Sequence, residues 1–480
     1  MLEILEKDIV QSLRRDNPWW DEDHPNGVAD FQHRRAYFPS FADLALDWNV
    51  HRSTILMGPR RVGKTVLLKQ LIDKAIADGF SRNAILFVSI DTPLYSGMPL
   101  DRLISLFEQE TNHATKERRI VIFDEIQYLK DWEVHLKVLT DAHPNTRFVA
   151  SGSAAAALKL KSQESGAGRF TDFFLPPLTF AEFLAFRGIE GELISAREHG
   201  LTRRYETPDI HRLNEEFIGY LNFGGYPEAV LNEAVQRDVQ RYLGRDIIDK
   251  VLLRDLPSLY GIQDIQELNR LFTTIAYHSG QEISLDGLAQ SSGVAKNTIT
   301  KYLEYLEAAF LIARVRRVDE TGKTFKRMRN FKVYLTNPSM RAALFAPLTD
   351  GDAPMGAMVE TAIFSQWFHS DLMRNIHYAR WKKGRKDLEV DLVRVDAATL
   401  KPSWAYEIKW SDRFANDPRS ADLEGLVELA RIHAQRDLPV GATTKTVTTE
   451  TQVGDAQIKH FPCALHCYQI GKNVAEGRAP

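Results

Sequence analysis

The chain has 480 residues, with 61 Lys and Arg against 64 Asp and Glu and 2 cysteines. That length exceeds what one hydrophobic core supports, so roughly two to four domains are expected, and 44% hydrophobic with 26% charged residues is an ordinary globular composition. A net charge of −3 excludes attraction of phosphate by the molecule as a whole, so any nucleic-acid site is a local basic patch; two cysteines exclude a disulfide scaffold and fit a reducing compartment.

The start of the chain, MLEILEKDIV, lacks the basic and apolar regions of a signal peptide. No apolar run approaches the ~18 residues of a membrane span. These features give the expectation of a soluble, cytoplasmic protein with no membrane partner.

Residues 1–50 are a polar, aromatic-rich lead-in in which Trp19 and Trp20 are expected to pack on the next domain. From residue 51 strands and helices alternate. Ser53–Met57 reads as a short strand, and Lys64–Gly79 carries helical periodicity that stops at glycine. The continuous apolar run 84–91 reads as a buried parallel strand. A helix over 100–109, a strand over 119–124, a helix over 132–142 and a strand over 146–150 follow. Such alternation predicts a three-layer α/β domain.

Gly58, Pro59, Arg60, Arg61, Val62, Gly63, Lys64 and Thr65 match G-x-x-x-x-G-K-[ST] between a predicted strand and a predicted helix. Backbone N–H groups of such a loop wrap the phosphates of ATP, and the helix N-terminus adds partial positive charge. Lys64 is assigned to the β- and γ-phosphates and Thr65 to Mg²⁺. The strand ending in Asp124 and Glu125 supplies two carboxylates at the carboxyl edge of the sheet. Asp124 is assigned to the magnesium shell and Glu125 to polarising the attacking water. Ser151 and Ser153, past the next strand, are candidate γ-phosphate sensors, with turn chemistry as the plainer reading. Arg169 is a candidate cation for the γ-phosphate, in its own subunit or a neighbour's, with an ordinary surface arginine as the alternative.

The runs GPRRVGKT (58–65), FDEIQ (123–127), SGSAAA (151–156), Gly168 with Arg169, PPLTFAEFL (176–184) and YLNFGGYPEAV (220–230) resemble an AAA+-type bacterial and archaeal ATP-binding protein family. The resemblance extends over nearly the whole chain. It implies an AAA+ P-loop ATPase core, a helical winged-helix-like middle and a C-terminal nuclease-like domain. It also suggests a homo-oligomer, a ring or a smaller assembly, with a monomer as the alternative. The expected division is a lead-in over 1–50, the ATPase domain over 51–209, the middle domain over 210–345 and the last domain over 346–480.

Residues 282–303 read as helix, glycine-containing turn and helix, a pair whose second helix suits a DNA major groove. Lys296, Asn297, Thr298 and Lys301 are the candidate contacts. The following hairpin is basic, with Arg314, Arg316, Arg317, Lys323, Lys326, Arg327, Arg329 and Lys332 opposed by Asp319 and Glu320. That balance suits a phosphate backbone, without sequence specificity. The competing reading is a module used for packing alone.

Near the C-terminus a helix carrying Glu360 precedes strands over 376–382, 388–395 and 404–410. Asp391 on one strand, then Glu407 and Lys409 on the next, is the PD-(D/E)XK nuclease arrangement. Period-two alternation puts Glu407 and Lys409 on one face. Asp391, Glu407 and Glu360 are then candidate ligands for Mg²⁺ or Mn²⁺, with Lys409 orienting the nucleophile. Val390 stands where the name of that arrangement has Pro. His460, Cys463, His466 and Cys467 are residue types that suit zinc, but their spacing matches no standard finger, and 464–470 reads as a plain strand.

Overall fold

The structure, a computed structural model, describes residues 6–478 except 22–30, 96, 112–116, 153–167, 200–201, 325–329, 369, 416, 418–419 and 455. The chain forms two compact units, Met1–Leu175 and Pro176–Pro480. The boundary expected at 209/210 therefore lies earlier, and 345/346 separates no compact units.

In the first unit, helix α1 (Glu6–Asp16) and α2 (Phe38–Ala45) precede β1 (Ser53–Met57), α3 (Lys64–Ala77), β2 (Ile85–Ser89), α4 (Leu100–Thr111), β3 (Arg119–Asp124), α5 (Trp132–Ala142), β4 (Thr146–Gly152) and β5 (Phe170–Phe174). The sheet order is β2-β3-β4-β1-β5 and every pairing is parallel. Strand β3 is buried at every position, as its run of β-branched and aromatic residues requires. The lead-in covers the open edge of β2. Asn17 Nδ2 donates to Phe87 O (2.8 Å) and its Oδ1 accepts from Phe87 N (2.6 Å), while the Trp19 and Trp20 indoles both donate to Ile85 O. Ile9 and Leu13 of α1 join the core formed by Leu86, Val88 and Phe107. An edge strand with unpaired backbone groups is thereby satisfied by side chains.

The second unit carries a two-stranded ribbon, β6 (Ser195–His199) with β7 (Thr202–Glu206), and is built on a nine-stranded sheet. Its strands are β8 (Glu282–Ser284), β9 (Ile312–Val318), β10 (Asn330–Leu335), β11 (Ile376–Lys383), β12 (Lys386–Val395), β13 (Pro402–Glu407), β14 (Val440–Thr444), β15 (Thr449–Val453) and β16 (Ala456–Pro462). They follow the order β15-β16-β14-β13-β12-β11-β9-β10-β8. The segments expected to be separate domains are joined because β9 pairs in parallel with β11, Arg317 opposite Tyr378 and Val318 opposite Ala379. Adjacent residues of these strands enter opposite cores. Tyr378 and Leu392 pack with the helices Phe180–Phe186, Ile210–Phe223, Met355–Ser365 and Cys463–Ala475, whereas Ala379 and Val393 pack with Glu424–Ile432. Phe180, Phe183 and Tyr220 belong to the first of these cores, which is why residues 176–209 cluster with this unit.

The run 220–230 is explained by packing. A Cβ on Gly225 would lie 2.4 Å from the Asn337 side chain, and Tyr226 is fully buried. The segment 464–470, expected as a strand, lies in the helix Cys463–Ala475. Its buried residues at 463, 464, 467, 468, 470 and 471 follow the helical period, which a stretch as short as 464–470 does not distinguish from a strand.

Candidate functional site

The glycine-rich loop leaves β1 and enters α3 at Lys64. Gly63 has φ 96° and Arg61 φ 60°, so the loop turns through left-handed conformations before the helix starts. Leu175 N donates to Met57 O, and a Cβ on Gly58 would sit 2.2 Å from Leu175 O. Only glycine lets the loop base approach β5 this closely. Lys64 is buried, with Nζ donating to Gly58 O (3.1 Å) and Pro59 O (2.9 Å). Arg35, also buried, donates from Nη1 to Val62 O at 2.7 Å and ties the lead-in to the loop. Arg60 donates to the Tyr128 hydroxyl at 3.3 Å.

Asp124 closes the site. Its Oδ2 accepts from Thr65 Oγ1 at 2.7 Å, and its Oδ1 accepts from Ser151 Oγ and from Glu125 N. Burial pushes the Asp124 carboxyl up, and the Ser151 and Thr65 hydroxyls and the Lys64 ammonium oppose that. Glu125 holds φ 53°, an uncommon conformation for a residue with a long side chain, and Gln127 Nε2 donates to its Oε2. The hydroxyl of Thr65 and the carboxylate of Asp124 are hard oxygen donors side by side, a set that fits Mg²⁺, and the loop amides above a helix N-terminus fit a polyphosphate. Bound there, Mg²⁺ would supply charge neutralisation between phosphate oxygens.

Two expected members of this site fare differently. Ser153 lies outside the described residues; Ser151, by contrast, is fully buried against Asp124 and acts on that carboxylate. Arg169 stands at the other edge of the sheet. Its backbone O accepts from Ser53 N at the start of β1, and its side chain pairs with Asp141 at 2.5 Å. Five strand residues at about 3.3 Å each separate that edge from the phosphate loop, so Arg169 does not reach the γ-phosphate position of its own chain.

In the second unit the structure brings Glu360, Asp391, Glu407 and Lys409 into one cluster. Lys409 Nζ lies 2.5 Å from Glu407 Oε1 and 3.4 Å from Asp391 Oδ2, although β13 ends at Glu407 and Lys409 lies beyond it. Asp391 Oδ2 also accepts from Ile408 N at 3.1 Å. Lys332, counted above with the basic hairpin, is buried among these acids. Its Nζ lies 2.9 Å from Glu360 Oε1, 2.9 Å from Glu389 Oε1 and 3.0 Å from Asp391 Oδ1. The Tyr334 hydroxyl donates to Glu360 Oε1 at 2.5 Å.

Burial pushes the Glu360 carboxyl up to about 7. Glu407 is raised well above the ordinary range by burial and by the Asp391 charge. Burial opposes ionisation of Asp391 too, yet the Lys332 and Lys409 ammonium groups hold it below that range. The donor chemistry suits a divalent cation, but ammonium groups stand where one would sit. Among the described residues no three His, Cys, Asp or Glu are placed to hold a metal ion. As arranged, Glu360, Asp391 and Glu407 do not fit the metal assigned to them from sequence.

The helix–turn–helix residues form the helices Leu285–Ser292 and Lys296–Ala308, with Leu288, Val294, Ile299 and Leu303 buried. Lys296, Asn297 and Lys301 are exposed and Thr298 is half-buried. Lys296 pairs with Asp286. On β9, Arg316 is exposed, Arg317 donates to Arg380 O and Arg314 pairs with Glu307. Lys326, Arg327 and Arg329 lie outside the described residues. Of the cysteines, Cys463 donates to Lys409 O and Thr443 Oγ1, both at 3.1 Å, and burial pushes its thiol up to about 12.

Arg35, Gln127, Glu389, Tyr334 and the burial of Lys332 were not legible as site features. Lys332 carried one signal: it is a lone charge in the apolar strand Phe331–Leu335.

Comparison with known proteins agrees on the first unit. Residues 50–184 match the family described as AAA domain, which agrees with the phosphate loop and the parallel sheet of this region. Residues 214–350 match a domain of unknown function, DUF8612. An uncharacterized protein of Haemophilus influenzae is 25% identical over 60% of this chain and 68% of its own length. An uncharacterized protein of Methanocaldococcus jannaschii is 25% identical over 56% of this chain, and another from that organism 24% over 58%; the matches span 58% and 59% of their lengths. Among solved structures, the replication initiator DnaA bound to AMPPCP and single-stranded DNA has 13% identity and a TM-score of 0.28 over 58% of this chain and 93% of its own. Cdc6p from Pyrobaculum aerophilum has 12% identity and a TM-score of 0.29 over 68% and 97%. Scores this low leave the fold to be judged from the sheet order and the loop. No described helix is long and apolar enough to cross a membrane.

Proposed function

We propose that the protein hydrolyses ATP with Mg²⁺ and couples turnover to binding of DNA, with the C-terminal carboxylate centre contributing to recognition rather than cutting. The observation that carries the catalytic part is the Thr65–Asp124 hydrogen bond beside Glu125. It joins the residue types that hold a metal-bound triphosphate to a carboxylate able to take a proton from water. Lys64 would leave its loop carbonyls for phosphate oxygens. Binding of DNA is supported by the exposed Lys296, Asn297, Lys301 and Arg316, and by the order helix, strand, two helices and hairpin from residue 265 to 335, which is that of a winged helix. Lys326, Arg327 and Arg329 belong to the same basic hairpin in the sequence. A homo-oligomer, ring or smaller, would suit an ATPase of this type.

The second reading is Mg²⁺- or Mn²⁺-dependent DNA cleavage, favoured by the meeting of Asp391, Glu407 and Lys409 beside Glu360. One experiment tests both. Purified protein is incubated with branched, single-stranded and duplex DNA, with ATP and either metal. ATPase stimulated by DNA, lost in Lys64→Ala and weakened in Lys296→Glu/Lys301→Glu, without cut products, is the expected result. Products lost in Asp391→Ala but kept in Lys64→Ala would establish the second reading. ATPase indifferent to DNA, with no binding at low salt, would leave an assembly or signalling switch.

A further inference from the structure

We propose that Lys332 is the resident cation of the carboxylate centre and keeps divalent metal out of it. The inference concerns the second unit alone and stands whether or not ATP turnover responds to DNA.

A lysine ammonium has three donors and no acceptor. Here those three donors face three carboxylates from two elements: Glu360 on the helix Met355–Ser365, and Glu389 and Asp391 on β12. The side chain is 3% exposed, and each of its three donors has a carboxylate partner. Strand alternation places Lys332 there: Phe331, Val333 and Leu335 take one face of β10, while Lys332 and Tyr334 take the other. Tyr334 fixes Glu360 by its hydroxyl, and the Tyr378 ring lies 5.5 Å from the ammonium. On the opposite side Lys409 takes Glu407 and the second oxygen of Asp391. Both oxygens of Asp391 therefore already face an ammonium.

A divalent cation bridging Glu360 and Asp391 needs the same oxygens at shorter range than an ammonium does. It would stand beside the buried Lys332 ammonium, a like charge that repels it. The centre thus carries its own cations, and the strand that supplies Lys332 is the second strand of the basic hairpin.

The test is Mn²⁺ binding to the full-length, nucleotide-free protein, followed by loss of the free-ion electron paramagnetic resonance signal. The wild type is expected to show no Mn²⁺ equivalent that depends on Asp391. Lys332→Met is expected to gain one equivalent, which Lys332→Met/Asp391→Asn loses. Lys332→Arg, keeping the charge, is expected to gain none. A wild-type equivalent removed by Asp391→Asn and kept in Thr65→Ala would overturn the proposal. So would a folded Lys332→Met protein, judged by circular dichroism, that gains no site. If Lys332→Met does not fold, the wild-type comparison with Asp391→Asn decides by itself.

Discussion

The hydroxyl of Thr65, at the first turn of α3, donates to Asp124 Oδ2 at the end of β3 across 2.7 Å. β4 lies between β1 and β3 in the sheet, so the two residues meet over its carboxyl edge and not by strand adjacency. The bond brings both expected magnesium ligands to one point.

That geometry makes the roles of Lys64 and Glu125 separable. Lys64→Ala should abolish both ATP binding and turnover. Glu125→Gln should retain binding while lowering turnover about 100-fold or more, the usual contribution of a positioned base. Calorimetry and steady-state phosphate release measure the two quantities. Unchanged turnover in Glu125→Gln would reassign the base.

Arg169 provides a negative control with a structural reason. It pairs with Asp141 at the far edge of the sheet, and both side chains are exposed. Exposed pairs contribute about 0–1 kcal/mol, so Arg169→Ala should leave folding nearly unchanged. ATPase should stay within about threefold of wild type. A larger loss that is rescued by mixing in wild-type subunits would show that the arginine serves a neighbouring copy.

Gly225 marks a tight contact in the second unit. An alanine there would thrust its methyl group to within 2.4 Å of Asn337, whose side chain is fully buried and accepts from Ser339 N. Gly225→Ala should cost about 1–3 kcal/mol by overpacking. Urea unfolding monitored by tryptophan fluorescence would measure it, and an unchanged midpoint would show that Asn337 moves freely aside.

His466 predicts a pH effect. Its ring stacks on Tyr406 with centroids 5.2 Å apart, and burial pushes its pKa down to about 4. The unfolded chain then binds the proton more readily between roughly pH 4 and 6.5, so stability rises with pH through that window and is lost as pH falls. The residue is half-buried, which discounts the effect to about 2 kcal/mol. His466→Leu should flatten the acid side of the stability curve; an unaltered slope would place the titrating group elsewhere.

The sequence by itself determined the phosphate loop and the acid pair after β3. Each depends on short spacing and on a strand or helix period, which are local properties. Tertiary structure decided what depends on pairing between distant segments. It put Arg169 at the wrong end of β1, because parallel pairing with β5 sets that register. It merged the middle and C-terminal segments, because β9 and β11 share hydrogen bonds that no local pattern encodes. It also carried Lys332 from a hairpin into an acid cluster, since which carboxylates surround a charge is settled only when strands far apart in the chain lie side by side.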